Sequence, residues 1–223
     1  MRRVLGAMAI TGAVLVGMSA CLPFGDDQEH RTVDYGVSEP VRELVVEAHT
    51  GGIVVTGGDA VHVTEAQNYR GEAPRTTHEV KDGVLRLTYD CRGCGVGYTV
   101  QVPAGTKVWV TQETGGVRLV GLAAEVEVSV DTGGVEATRL TSQTVRLSTR
   151  TGGVRAEFAA APVKVEAKAE TGGVRVRVPT GEAYAVDAHA GAGGVELGIP
   201  SQPGAARSIT ARTGAGGVSV DGV

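Results

Sequence analysis

Thr114-Gly115-Gly116-Val117 reads TGGV, and the same four residues return at 132–135, 151–154 and 171–174. The Thr positions are 18, 19 and 20 residues apart. Two weaker copies follow, Ala192-Gly193-Gly194-Val195 and Ala215-Gly216-Gly217-Val218. Thr50-Gly51-Gly52-Ile53 reads as a divergent first copy. A self-similar period of this length marks a stacked-repeat architecture.

Each unit continues from TGGV into a short alternating run, a loop and a second alternating run. The second runs include Val126–Val130, Val145–Thr149, Val163–Ala167 and Ile209–Ala211. Apolar residues at every second position predict strands. Two short strands in about 20 residues cannot bury an apolar face alone, but stacked copies can. Val117, Val135, Val154, Val174, Val195 and Val218 then form one inward column. Leu119, Ala137, Ala156, Val176, Leu197 and Val220 form a second. Arg118, Glu136, Arg155, Arg175 and Glu196 alternate with these and face outward. Opposite charges on neighbouring coils would add about 0.2–1 kcal/mol per pair.

The fold expected is all-β and single-domain: a β-solenoid, a β-helix-like ladder of short strands with Thr-Gly-Gly-Val turns. One Trp, two Phe and abundant Val and Ala suit a narrow core filled by small residues. Corner positions are assigned to Gly51, Gly52, Gly115, Gly116, Gly133, Gly134, Gly152, Gly153, Gly172, Gly173, Gly193, Gly194, Gly216 and Gly217. Glycine accepts positive φ at a sharp turn without a Cβ penalty. Gly134 and Gly153 are expected to be intolerant of Val. The Thr of each corner is expected to hydrogen-bond locally and to stack on the next Thr.

Upstream, Val41–Val63 reads as short strands between Gly-rich turns, followed by a polar stretch over 66–79. Strands are also expected at Val84–Tyr89, Tyr98–Val102 and Val108–Val110. The first 20 residues have a secretory signal layout: Arg2 and Arg3, an apolar run to Val16, then small residues before Cys21. The run is shorter than a spanning helix requires. Met18-Ser19-Ala20-Cys21 resembles a bacterial lipobox, which implies acylation of Cys21 and tethering by lipid. Residues 21–40 are expected to be a lipid-attached flexible tether, and 41–223 the repeat domain, clearest over 114–223.

Without Arg2 and Arg3 the chain keeps 19 basic side chains against 25 acidic ones. A mildly acidic domain lacks the basic stripe that nucleic-acid binding needs. Few Lys and many Arg, Ala and Gly suggest a GC-rich, actinobacterial-type genome.

The segment Val100-Gln101-Val102-Pro103-Ala104-Gly105-Thr106-Lys107-Val108, followed by the TGGV units, resembles the DUF4097 family of bacterial surface proteins, which are often named as adhesin candidates. The resemblance covers roughly 41–223. It implies a β-ladder displayed at the cell surface, and related proteins are linked with envelope stress. Many members carry Asp where Gly116, Gly134, Gly153 and Gly173 stand here, so a carboxylate column is missing.

No cofactor, metal site or catalytic set is expected. A phosphate loop needs a helix after its glycines, and a strand follows each TGGV. The five His, at 30, 49, 62, 78 and 189, lack ligand spacing. Cys91-Arg92-Gly93-Cys94 admits a redox motif, half a zinc site or a structural disulfide. An exported location favours the disulfide, drawn as stapling a hairpin tip. Trp109, Tyr89, Tyr98 and Tyr184 form a glycan-stacking platform if exposed, or close the ends of the core if buried. The function expected is an adhesin-like display or binding module on the outer face of the cell membrane, with an envelope glycan or protein as ligand. The alternatives are a β-helix enzyme acting on envelope polysaccharide, or an accessory of envelope stress.

Overall fold

A computed structural model describes residues 28–223. The expected leader 1–20 and Cys21 lie outside the described residues. All regular structure among the described residues is strand. The N-terminal part holds β1 (Glu29–Val37), β2 (Glu43–Thr50), β3 (Ile53–Gly58), β4 (Val61–Tyr69), β5 (Arg75–Lys81), β6 (Val84–Asp90) and β7 (Gly95–Pro103). The repeats supply β8 (Lys107–Thr114), β9 (Val117–Val120), β10 (Val126–Thr132), β11 (Val135–Leu140), β12 (Thr144–Thr151) and β13 (Val154–Phe158). They continue with β14 (Lys164–Thr171), β15 (Val174–Val178), β16 (Tyr184–Ala192), β17 (Val195–Leu197), β18 (Arg207–Ala215) and β19 (Val218–Gly222).

Each coil places one strand in each of two sheets. The first sheet runs β1-β4-β7-β3-β9-β11-β13-β15-β19-β17, the second β16-β18-β14-β12-β10-β8-β2-β6-β5. Pairing between coils is parallel and in register: Val117, Val135 and Val154 are successive partners, as are Val108, Val126 and Val145. The two inner faces close one apolar core. Val117, Val135, Val154, Val174 and Val218 are all buried, as are Leu119, Ala137, Ala156, Val176 and Val220. Burying one such Val is worth about 2 kcal/mol.

The order of the last coils departs from the sequence order. Coil β18–β19 is inserted between β14–β15 and β16–β17, so β16–β17 ends the stack. Val195 (46 % exposed) and Leu197 (45 % exposed) therefore leave the inward columns assigned to them, because no coil covers them. Packing explains the choice. The inserted coil brings Ile209, Val218 and Val220 into the core, whereas β16 buries Tyr184 and leaves Val186, Ala188 and Ala190 half-buried. The smaller residues lose less when left half-buried. Ser201 returns to the outer edge of β16, where its hydroxyl meets both the N–H (3.0 Å) and the carbonyl (3.2 Å) of Val186.

The other end is closed differently. Residues 29–37, expected as tether, form β1, which pairs antiparallel with β4 from Glu29↔Tyr69 to Val37↔Val61. The polar stretch from 66 onward also yields structure, as the end of β4 and as β5, which pairs antiparallel with β6. Both edge strands are charge-rich, with Glu29, Arg31 and Asp34 on β1 and Arg75, Glu79 and Lys81 on β5. Charge at an edge discourages pairing with another chain. Charged residues thus mark both edge strands, with Val33, Tyr35 and Val37 as the half-buried face of β1. Beneath them, buried Glu65 accepts from Tyr35 Oη (2.8 Å) and from Gln67 Nε2 (2.9 Å).

Candidate binding surface along the glycine corner

The two glycines of a corner have different roles. The first of each pair, Gly51, Gly115, Gly133, Gly152, Gly172, Gly193 and Gly216, has φ between 136° and 146°. A Cβ there would come closer than 3.0 Å to a main-chain carbonyl of the adjacent coil, a separation real Cβ atoms do not reach. The hydrogen that glycine carries instead points at that carbonyl, the geometry of a Cα–H···O contact. The second glycine has no such limit. Cβ atoms on Gly52, Gly116, Gly134, Gly153, Gly173 and Gly217 would have their nearest neighbours at 3.4–4.0 Å, and Gly194 faces open space. The carbonyl of the second glycine joins the ladder, as in Val117 N–H to Gly134 O (2.9 Å) and Val135 N–H to Gly153 O (2.9 Å).

The carbonyl of the first glycine accepts no such bond. Three buried side chains reach it instead: Gln112 Nε2 to Gly51 O (2.9 Å), Thr149 Oγ1 to Gly133 O (2.8 Å) and Thr213 Oγ1 to Gly172 O (2.7 Å). Sequence reading missed these residues. Their signal is a polar side chain at an inward position, two residues before the corner Thr or Ala.

The second glycines floor a groove of about 990 Å³ that crosses seven strands from β3 to β17. Its wall is the outward column Arg118, Glu136, Arg155, Arg175, Ser219 and Glu196 in spatial order. Beside the groove runs a row of exposed threonines in register, Thr50, Thr114, Thr132, Thr151 and Thr171. Their spacing is that of the strands, about 4.8 Å. The stacking expected of them is present. The local hydrogen bonds are not: among the described residues these five hydroxyls meet no protein partner. The row stands between the groove and a second hollow of about 730 Å³, bordered by Ser129, Asp131, Ser148, Arg150 and Lys168.

Carboxylates on the outer face of the second sheet are matched by cations. Arg146 lies 3.0 Å from Glu125, 3.5 Å from Glu127 and 3.9 Å from Glu166. Lys164 and Lys168 lie 2.9 Å and 3.2 Å from Glu166, and bonds from Lys164 first, then Lys168, hold its carboxyl below the usual range. Arg150 pairs with Asp131 through two bonds, which lower the Asp131 pKa. Among the described residues no three His, Cys, Asp or Glu are placed to hold a metal ion. Tyr89, Tyr98 and Tyr184 are buried and Trp109 is half-buried, so the four aromatics do not make an exposed stacking platform.

Cys91 and Cys94 are joined across a turn, with Cα atoms 6.0 Å apart. The turn is not a hairpin tip, because β6 and β7 lie in different sheets. It is the corner of the β6–β7 coil, which stacks on β2 and β3. The cysteine turn occupies the corner where neighbouring coils carry Thr-Gly-Gly.

The Toastrack DUF4097 family matches residues 40–221. The chain belongs to this family. A candidate cell adhesion protein from Clostridium sporogenes ATCC 15579 has a similar structure, with TM-score 0.52, 14 % identity, and 87 % of this chain and 100 % of that chain covered. A candidate adhesin from Bacteroides fragilis NCTC 9343 gives TM-score 0.51 at 16 % identity, covering 87 % and 97 %. At these identities the likeness concerns the fold. No curated protein matches the chain.

Proposed function

We propose that this Toastrack chain is an exported binding module, tethered to the outer face of the cell membrane by lipid on Cys21, with a polyhydroxylated envelope polymer as its ligand. It acts by display and contact, without catalysis. One observation carries the reading: five exposed threonine hydroxyls, free of protein partners, stand in register beside a groove floored by glycine. Hydroxyls at about 4.8 Å intervals suit a ligand that repeats its own hydroxyls along an extended chain. A side-chain-free floor lets such a chain approach the backbone. The leader and the lipobox-like Cys21 support the location, and the adhesin candidates of similar fold fit a surface role.

The test is co-sedimentation of the full chain, held in mild detergent, with purified envelope polysaccharide. Gly134→Leu would fill the groove at a position with room for a Cβ, and Thr132→Val with Thr151→Val would remove two hydroxyls. Each change is expected to weaken binding at least tenfold with the melting temperature kept. Undiminished binding by Gly134→Leu would refute the groove.

A further inference from the structure

We propose that Arg155 and Arg175 form an anion clamp on the groove, and that the ligand therefore carries an oxyanion, a carboxylate or a phosphate. The inference rests on the groove as the contact surface and adds the charge of what it takes.

Charges along the wall balance up to one point. Arg118 pairs with Glu136 at 3.1 Å, and Arg155 reaches the same Glu136 at 3.8 Å. Arg175 is the direct in-register partner of Arg155, with no acid between them. Its side-chain partner is the Ser219 hydroxyl, 3.3 Å from Nε. Glu136 thus serves two guanidinium groups, while Arg175 meets a hydroxyl in place of a carboxylate. The neighbouring outward column alternates correctly: Glu157 pairs with Arg177 at 3.0 Å, and Arg177 faces Asp221 across the next strand pair.

Like charges directly opposite on adjacent strands destabilise a sheet. The Arg155–Arg175 pair therefore costs the fold something; Glu136 faces Arg155 from one side, and a hydroxyl, that of Ser219, faces Arg175 from the other. The strands that carry these two guanidinium forks lie about 4.8 Å apart, so the forks can turn from Glu136 and Ser219 to hold one oxyanion between them, since Arg binds carboxylate and phosphate through paired N–H groups. Gly153 and Gly173 lie two residues before these arginines on the same outward face, so the approach to the clamp is unobstructed.

Three probes test the clamp on the full chain in detergent: hexagalacturonate for carboxylate, a glycerol-phosphate hexamer for phosphate, and the neutral N-acetylglucosamine hexamer. At low salt at least one anionic probe is expected to bind tenfold or more tightly than the neutral one. The tighter anionic probe identifies the source of the charge. Arg155→Gln with Arg175→Gln should remove that advantage and the salt dependence of binding, whereas Arg118→Gln should change it less than twofold. The melting temperature should stay level or rise, because the like-charge contact is gone; a purely structural role would lower it. Anionic binding unchanged by the double substitution, or no anionic binding at all, overturns the clamp. If the neutral hexamer still binds and Gly134→Leu abolishes that binding, the groove stands while the clamp falls. If Gly134→Leu leaves every probe bound, the groove falls too, and the clamp with it.

Discussion

The carbonyl oxygen of Gly115 occupies the space that a Cβ on Gly133 would need. Gly133 also has φ +146°, where side chains are strained whatever the space. Gly134 meets neither condition, as its Cβ would stand 3.5 Å from the nearest atom. The corner thus depends on one glycine of each pair. The neighbour serves the surface.

Gly133→Ala is expected to cost about 3 kcal/mol, combining backbone strain with a displaced coil. In a domain of this size that lowers the melting temperature by roughly 6–12 °C. Gly134→Ala should move it by less than about 2 °C. Calorimetry of both variants checks the contrast, and equal losses would defeat the assignment. The expectation that Gly134 and Gly153 are the intolerant positions is replaced by Gly133 and Gly152.

The cysteine corner gives a second outcome. The exported protein should be two mass units lighter than its reduced form. A bridge closing so short a loop contributes about 2 kcal/mol. Cys94→Ser should therefore shift the denaturant midpoint modestly without unfolding the chain. Labelling of both thiols in the untreated protein would count against the bridge.

Acid stability should depend on Glu166. Its folded pKa lies below the ordinary 4.5, through Lys164 first and Lys168 second. A depressed carboxyl pKa gives stability that is present above the unfolded value and lost as pH falls through the folded one. Melting temperature plotted against pH should fall below about pH 4.5, and Glu166→Gln should flatten that limb. At pH 7 the variant should be the less stable protein. At pH 2 the two should converge.

Alkaline stability should follow Tyr35 and Tyr98. Burial first, then the charge of Glu65, raises both phenols well above their ordinary 10.0. Here the stabilising contribution is complete below pH 10 and is lost as pH rises beyond it, because the unfolded chain then sheds protons the folded one keeps. Absorbance titration at 295 nm should show these two ionising only as the fold is lost. Reversible ionisation of all five tyrosines near pH 10 in folded protein would contradict this.

The repeat was legible because stacking demands it. A column of Val, from Val117 to Val174, and a glycine pair at each corner are local requirements of every coil, so they recur in the sequence. Gln112, Thr149 and Thr213 were visible only as polar interruptions of an apolar column. Their purpose depends on carbonyls of other coils, at Gly51, Gly133 and Gly172. The strand β1 escaped notice because its alternation, Val33, Tyr35 and Val37, is short and only half-buried, and follows charged residues.

Alternation and backbone conformation within about 20 residues were enough to place the two strands of each unit, the corners and most of the inward columns. The sequence also placed Arg155 and Arg175 at equivalent positions of consecutive units. The assembled stack alone shows that β18–β19 enters between the coils β14–β15 and β16–β17, that Ser219 rather than Glu196 stands beside Arg175, and that Val195 and Leu197 end the core. The physical reason is that similar coils can pair with one another in more than one order. The order is chosen by which apolar faces are worth covering on both sides, and that comparison exists only once the stack is assembled.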